Sequence, residues 1–286
     1  MHPAPTIIAF TVLSGFGFGL MVFLGVGWPA PSGWLAFLWW GLGYGCAVAG
    51  LIASTAHLGN PQRAWRAFSQ WRSSWLSREG IAAVATLVLC APVALSDWLE
   101  LGWSRIPGML GAVGALAVIG TTSMIYAQMQ SVPRWHHWTT PAVFFGFSLT
   151  GGAMAAGHPW LGAALGLGLA GLLVLAFRLG DRQFALAGQT IGTATGLDRI
   201  GDAAVFELPH TGGNYLLREM IHVVGRKHGA KLRVIAVGAV LTGAVLALAP
   251  FALPFAVVVH LAGALVVRWL FFAQAEHVVG LYYGQR

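Results

Sequence analysis

Eight runs of roughly twenty mainly apolar residues fill most of this sequence, at about 6–28, 34–57, 79–98, 107–127, 139–157, 159–179, 234–253 and 255–276. That is the length an α-helix needs to cross a hydrocarbon core of about 30 Å. Lipid offers backbone groups no hydrogen-bond partner, so only helices and closed barrels span it. Barrel strands are shorter and alternate in polarity, and these runs do neither. The expected fold is therefore all-α, one integral membrane bundle of eight transmembrane helices across 1–286. Composition agrees: 57% of residues are hydrophobic and only 9% are charged, against about 25% charged in soluble chains. Pro29, Pro31, Pro107, Pro141, Pro159 and Pro254 lie at or near span ends, where a missing N–H costs least. Glycines crowd the spans, as at Gly41, Gly43 and Gly45 or Gly166, Gly168 and Gly171, a pattern that suits close helix packing in lipid. Met1–Pro5 has no basic residue ahead of a run long enough to span, so no cleavable signal peptide is expected.

Basic residues set the orientation. Eight spans put both termini on one side, together with segments 58–78, 128–138 and 180–233. That side carries Arg63, Arg66, Arg72, Arg78, Arg134, Arg178, Arg182, Arg199, Arg218, Arg226, Lys227, Lys231, Arg233 and Arg286, 14 of the 16 Lys and Arg. The other face keeps Arg105, and Arg268 sits inside the last span. By the positive-inside rule the termini and large loops are cytoplasmic. The +7 net charge then faces anionic lipid, and no nucleic-acid partner is expected.

Segment 180–233 alone has ordinary soluble composition. Its second half, from Asn214 to His228, places Leu216, Met220, Val223 and Val224 on one helical face. Asn214 can begin such a helix and Gly229 can end it. An amphipathic helix in the headgroup layer is one reading. A docking platform for a cytoplasmic partner is the other, with Arg218, Arg226 and Lys227 joined by Arg66 and Arg72.

The densest polar constellation lies between the second and third spans: His57-Leu-Gly-Asn-Pro-Gln-Arg63-Ala-Trp-Arg66, then Trp71-Arg72-Ser-Ser-Trp75-Leu-Ser77-Arg78-Glu79. His57 should end one helix and Glu79 begin the next, with Asn60-Pro61 making the turn and Ser77 capping the third span. A quinone needs hydrogen-bond donors at its carbonyls, a titratable group to exchange protons, and an aromatic slot open to lipid. His57, Arg63 and Glu79, flanked by Trp65, Trp71 and Trp75, supply these. Arginines and tryptophans at an interface also serve as plain topology anchors. Tyr126, ending the fourth span, can donate to a quinone carbonyl or simply join the aromatic belt. Arg268 suits a polar cavity, because intramembrane charges rarely face lipid, or else it snorkels to the interface.

The run His57-Leu-Gly-Asn-Pro-x-Arg63-Ala with Leu76-Ser-x-Glu79 resembles the signature of dimethyl sulfoxide reductase membrane anchor subunits. Val132-Pro133-x-Trp135, Trp138-x-Thr140-Pro141 and Leu261-Ala-Gly263 with Arg268 are similar to later segments of that family. The resemblance implies an eight-helix, quinone-binding anchor in a bacterial inner membrane. It also implies iron–sulfur and molybdopterin catalytic partner subunits, with His57, Arg63 and Glu79 matching quinone-site residues. The family's acidic residue four positions before the last-helix arginine is Ala264 here, which leaves the partner of Arg268 open. Segment Asn214–Met220, Arg226–Arg233 and Arg268-Trp-Leu-Phe-Phe272 look like the anchors of membrane-bound sulfite dehydrogenases. The charge bias suits their cytoplasmic catalytic subunits, so sulfite oxidation feeding a ubiquinone or menaquinone pool is preferred over sulfoxide reduction. Ten histidines leave a b-type haem as an alternative, although no pair has diagnostic spacing. A transporter is a further alternative, but internal repeats and midplane ionisable groups are not evident. Cys46 and Cys90 form no CxxC metal pattern.

Overall fold

The computed structural model describes residues 1–56, 60–207, 212–221 and 227–284, with the side chains of 61, 217, 218 and 250 excepted. It is all-helical among the described residues. Long helices α1 (Pro5–Val26), α2 (Gly33–Ala56), α3 (Trp75–Leu99), α4 (Ile106–Ala127), α5 (Thr139–Ala155) and α6 (Pro159–Leu186) are followed by a short α7 (Ile191–Thr195). Two more long helices, α8 (Gly229–Ala247) and α9 (Leu253–Ala273), complete the bundle. Pro5, Pro107, Pro159 and Pro254 each occupy the first turn of a helix, the position where proline's fixed φ helps and its lost donor is harmless.

Seven of these helices are long and apolar enough to cross a membrane. The exception among the eight expected spans is the fifth, α5, whose 17 residues reach only about 25 Å, short of a typical hydrocarbon core. None of its residues is exposed, and Gly157, at φ +83°, turns the chain just beyond it. Helix α1 is the most enclosed of the spanning helices. It packs against α2, α4 and α5, and α5 packs in turn on α6 and α9. Small residues set the α1–α5 spacing: a Cβ added at Gly19 would lie 2.0 Å from the Ser148 carbonyl oxygen, and one at Gly152 would lie 2.3 Å from that of Gly19. In lipid such close backbone approach supplies the dispersion that holds helices together.

Hydrogen bonds define the two ends. At the termini end, the Met1 amino group donates to Ala275 O (3.0 Å), Val278 N donates to Ser131 O (2.9 Å), and Trp135 Nε1 donates to Phe271 O (2.9 Å). At the opposite end, Arg105 donates to Asp97 (2.8 Å) and to Leu24 O (3.1 Å). Trp40 Nε1 occupies the second Asp97 oxygen (3.0 Å). The single basic residue of that face is thus paired.

Three local expectations are corrected. Helix α3 starts at Trp75, with Ser74 rather than Ser77 as its cap, because Ser74 Oγ accepts from Ser77 N (3.5 Å). Glu79 consequently stands in the second turn. The expected Asn60-Pro61 turn is present, Arg63 N donating to Asn60 O (3.0 Å), and leads into a 3₁₀ helix, Pro61–Gln70. Helix α6 runs on to Leu186 and α8 starts at Gly229, so the long connection is 187–228 rather than 180–233. Of the amphipathic helix expected over 214–228, the described residues include a π-helical turn, Leu216–Met220. Asn214 donates to Tyr283 Oη (3.0 Å) instead of capping a helix, and Gly229 begins one instead of ending one. Residues 222–226 of the expected amphipathic helix lie outside the described residues.

Candidate functional site

The α2–α3 connection folds back onto the start of α3. Ser77 Oγ donates to the Ala67 carbonyl. Arg78 donates to the Trp71 (3.0 Å) and Arg72 (2.7 Å) carbonyls, its guanidinium 4.3 Å from the Trp75 ring centroid. Gly80 leaves room for Phe68, whose ring carbon would lie 3.2 Å from an added Cβ. On the outer surface Arg63 is exposed, while Arg66 and Arg72 lie over Trp65 and Trp71 at 5.5 and 5.4 Å. Trp65 and Trp71 remain more than half exposed. Guanidinium groups paired with half-exposed indoles are suited to a headgroup layer or a protein partner. His57 lies outside the described residues, as does Arg226. The Arg218 side chain is also undescribed, and Lys227 is exposed.

One turn inside the bundle the character changes. Glu79 is buried, and Thr122 Oγ1 of α4 donates to one of its carboxyl oxygens. Four residues on, and so on the same helix face, Tyr126 is caged by Trp135, Phe144, Phe271 and Phe272, at ring distances of 5.3–5.8 Å. Glu79 and Arg268 are both close enough to act electrostatically on the Tyr126 hydroxyl. Arg268, 2% exposed, stacks with its guanidinium carbon 3.4 Å from the Phe144 centroid. Its Nη1 has no hydrogen-bond partner among the described residues. The open question raised by Ala264 is answered in part: where a carboxylate would stand, Ala264 lines a small cavity beside Arg268.

By helix rise, Glu79 and Arg268 sit about 6 and 8 Å inside the termini ends of α3 and α9. Of the six residues expected to form one site, Glu79, Tyr126 and Arg268 converge in the interior. Arg63 and Trp71 stay on the outer segment.

Arg268 also floors a cleft of about 60 Å³ between α5, α6 and α9, whose other walls include Thr139, Thr140, Phe177 and Phe271, with Arg134 and Gln274 at its mouth. Arg134 and Arg233 clamp Asp181, donating at 2.5 Å and at 2.6 and 2.7 Å respectively, and Arg233 Nε donates to Gln274 (3.2 Å). Sequence reasoning assigns these arginines to topology alone. Asp181 lies 47 and 52 residues from its two partners, and no local spacing announces the clamp. Thr122 is legible in principle, being four residues before Tyr126 on a helix. His260, one of the histidines that raise the haem alternative, faces the Phe147 carbonyl with its Nε2 at 3.0 Å. Among the described residues no group of three or more metal-ligating side chains forms.

A bundle of apolar helices with an ionisable cluster at one end is the architecture of a polytopic membrane protein whose chemistry sits near one interface. The family described as "DMSO reductase anchor subunit (DmsC)" matches residues 1–164, and the chain belongs to that family. It is 31% identical to a sulfite dehydrogenase subunit of Allochromatium vinosum, over 99% of both chains. It is also 33% identical to the anaerobic dimethyl sulfoxide reductase chain YnfH of Escherichia coli, over 54% of this chain and 57% of that one. No solved structure matches it.

Proposed function

We propose that this anchor subunit joins a cytoplasmic iron–sulfur subunit and a molybdopterin catalytic subunit to the quinone pool of a bacterial inner membrane, passing on electrons from sulfite oxidation. The observation that carries the reading is the buried cluster of Glu79, Tyr126 and Arg268 near one end of the bundle. Buried ionisable groups in a membrane interior are costly and mark function.

The residues fit a quinone. Arg268 has an unused donor, Glu79 is a carboxyl group within the bundle, and Phe144 and Phe271 pack against both Tyr126 and Arg268. When bound, a quinone accepts two electrons and two protons and leaves as a quinol. Arg63 and His57 are assigned as donors to its carbonyls from the outer segment. Glu79, held by Thr122, exchanges protons with the ring oxygens, and Arg268 stabilises negative charge through the aromatic cluster. The exposed Arg66, Arg72 and Lys227, with Arg218 and Arg226, are assigned to the partner-docking surface.

Sulfite is favoured over sulfoxide because the sulfite dehydrogenase relative aligns along the whole chain, whereas the reductase relative aligns over about half. The test uses the purified complex with either His57→Ala or Arg63→Ala. Quinone reduction should be abolished while sulfite oxidation with an artificial acceptor continues. Equal loss of both activities would make these residues assembly determinants, and copurification of a catalytic partner inactive on sulfite would overturn the substrate.

A further inference from the structure

Two buried nitrogens in the described structure have no partner, His260 Nδ1 and Arg268 Nη1, and both residues line the same small cavity. They stand eight residues apart on α9, about 12 Å along the axis. Ala264 stands between them in the chain, and it lines the same cavity. The tautomers are complementary. His260 Nε2 meets the Phe147 carbonyl and must carry the hydrogen, which leaves a lone pair on Nδ1, while Arg268 Nη1 can only donate. The cavity measures about 10 Å³, close to the space one water requires, and Thr11 and Ser148 add hydroxyls to its wall.

A second cavity of about 10 Å³ shares Thr11, Gly15 and Ser148 with the first and is lined also by Ser14 and Thr122. Thr122 donates to Glu79. On the other side, Arg268 is common to the first cavity and to the cleft at Arg134. Thr122 thus bounds the second cavity beside Glu79, the two cavities share wall residues, and Arg268 bounds both the first cavity and the cleft.

We propose that the cavity between His260 and Arg268 binds a water molecule, and that with its neighbour it forms a hydrated proton track linking Glu79 to the α5–α6–α9 cleft. The water accepts from Arg268 Nη1 and donates to His260 Nδ1. His260 is a positioning residue: it holds the water in place. Each proton taken up at the ring oxygens leaves Glu79 as a carboxylate, which the track reprotonates from the cleft, so no proton is gained or lost overall. The bound water stands on the geometry alone, whereas its use in proton delivery rests on the quinone reading.

The test has two arms. In the first, the full chain in nanodiscs is labelled by hydroxyl radicals generated in millisecond X-ray pulses. Buried Phe16 and Phe147, which line the first cavity, should be oxidised, while equally buried Phe23 is not. Ala264→Leu, which fills the cavity, should abolish that labelling. Phe16 and Phe147 as silent as Phe23 in the native chain would overturn the water site. In the second arm, His260→Phe in the whole complex should lower quinone-linked turnover on the order of tenfold and change its solvent isotope effect. His260→Gln, which keeps an acceptor and a donor, should restore both. Native turnover in His260→Phe would overturn the track and leave the quinone reading standing. A native complex with no quinone turnover would instead sink the quinone reading, with the labelling result still deciding the water.

Discussion

Substituting Gly19 by Ala should separate α1 from α5, whereas the same change at Gly168 should be harmless. A Cβ at Gly19 would lie 2.0 Å from the Ser148 carbonyl oxygen, 2.6 Å from its carbonyl carbon and 3.2 Å from its Cα. All three are backbone atoms, so no side chain can rotate away. The helices must part by roughly 1 Å or more to reach a tolerable contact, and a gap of that size forfeits a quarter to a half of each dispersion well along the interface. Overpacking of ordinary cores costs about 1–3 kcal/mol. A backbone-to-backbone clash between the two most enclosed helices belongs at or above the top of that range, offset by the ~0.5–1 kcal/mol that Ala gains over Gly in a helix. A net loss of about 2–3 kcal/mol follows. Gly168 of α6 has nothing within 4 Å of an added Cβ, so there only the propensity gain of up to ~1 kcal/mol remains. Reversible unfolding in mixed detergent micelles, followed by circular dichroism, would give both values. If the two variants proved equally stable, the α1–α5 contact would not be what holds the centre of the bundle.

Two further outcomes are expected. Glu79→Gln keeps an oxygen to accept from Thr122, so thermal stability should stay within about 0.5 kcal/mol of native. Quinone-linked turnover, measured with a soluble quinone analogue as acceptor, should drop at least tenfold; unchanged turnover would remove Glu79 from proton exchange. At the chain's end, His277 Nδ1 accepts from Val279 N (3.0 Å) and caps the 3₁₀ segment Val278–Tyr283. Burial and, secondarily, the nearby N-terminal amino group push its pKa below the ordinary histidine value. A histidine kept neutral by the fold contributes stability that is fully present above the unfolded pKa of ~6.5 and lost as pH falls through the depressed folded value. Hydrogen-exchange protection at 278–283, corrected for the intrinsic pH dependence of exchange, should fall as pH drops below about 6.5, and His277→Asn should abolish that change in protection.

The spans are readable because length and apolarity are local properties, and every expected run corresponds to a helix in the bundle. What hydropathy cannot reveal is that α5 is mostly buried against its neighbours. Its apolar run looks like a lipid-facing one, although its 17 residues need not match a bilayer. Helix starts shift by several residues where caps compete, as with Ser74 and Ser77. Half of the candidate site is legible, because Glu79, Tyr126 and Arg268 are costly residues in apolar surroundings and single themselves out. The rest depends on tertiary placement. Asp181 reaches arginines far along the chain, and the unpartnered nitrogens of His260 and Arg268 are related only by the cavity that both residues line. The segment at 57–71 carries the most distinctive motif, yet its arginines point outward and its histidine is undescribed.

The shortness of α5 has a bearing on how the subunit meets the rest of its complex. A helix whose neighbours cover most of its surface is largely relieved of hydrophobic mismatch, so it can end short of the headgroups with little thinning of the bilayer. The chain that leads into it, with Val132 and Trp135 fully enclosed, fills the resulting recess. Anything bound over that recess therefore rests on a sunken aromatic floor, nearer the middle of the membrane than the surrounding loops would suggest.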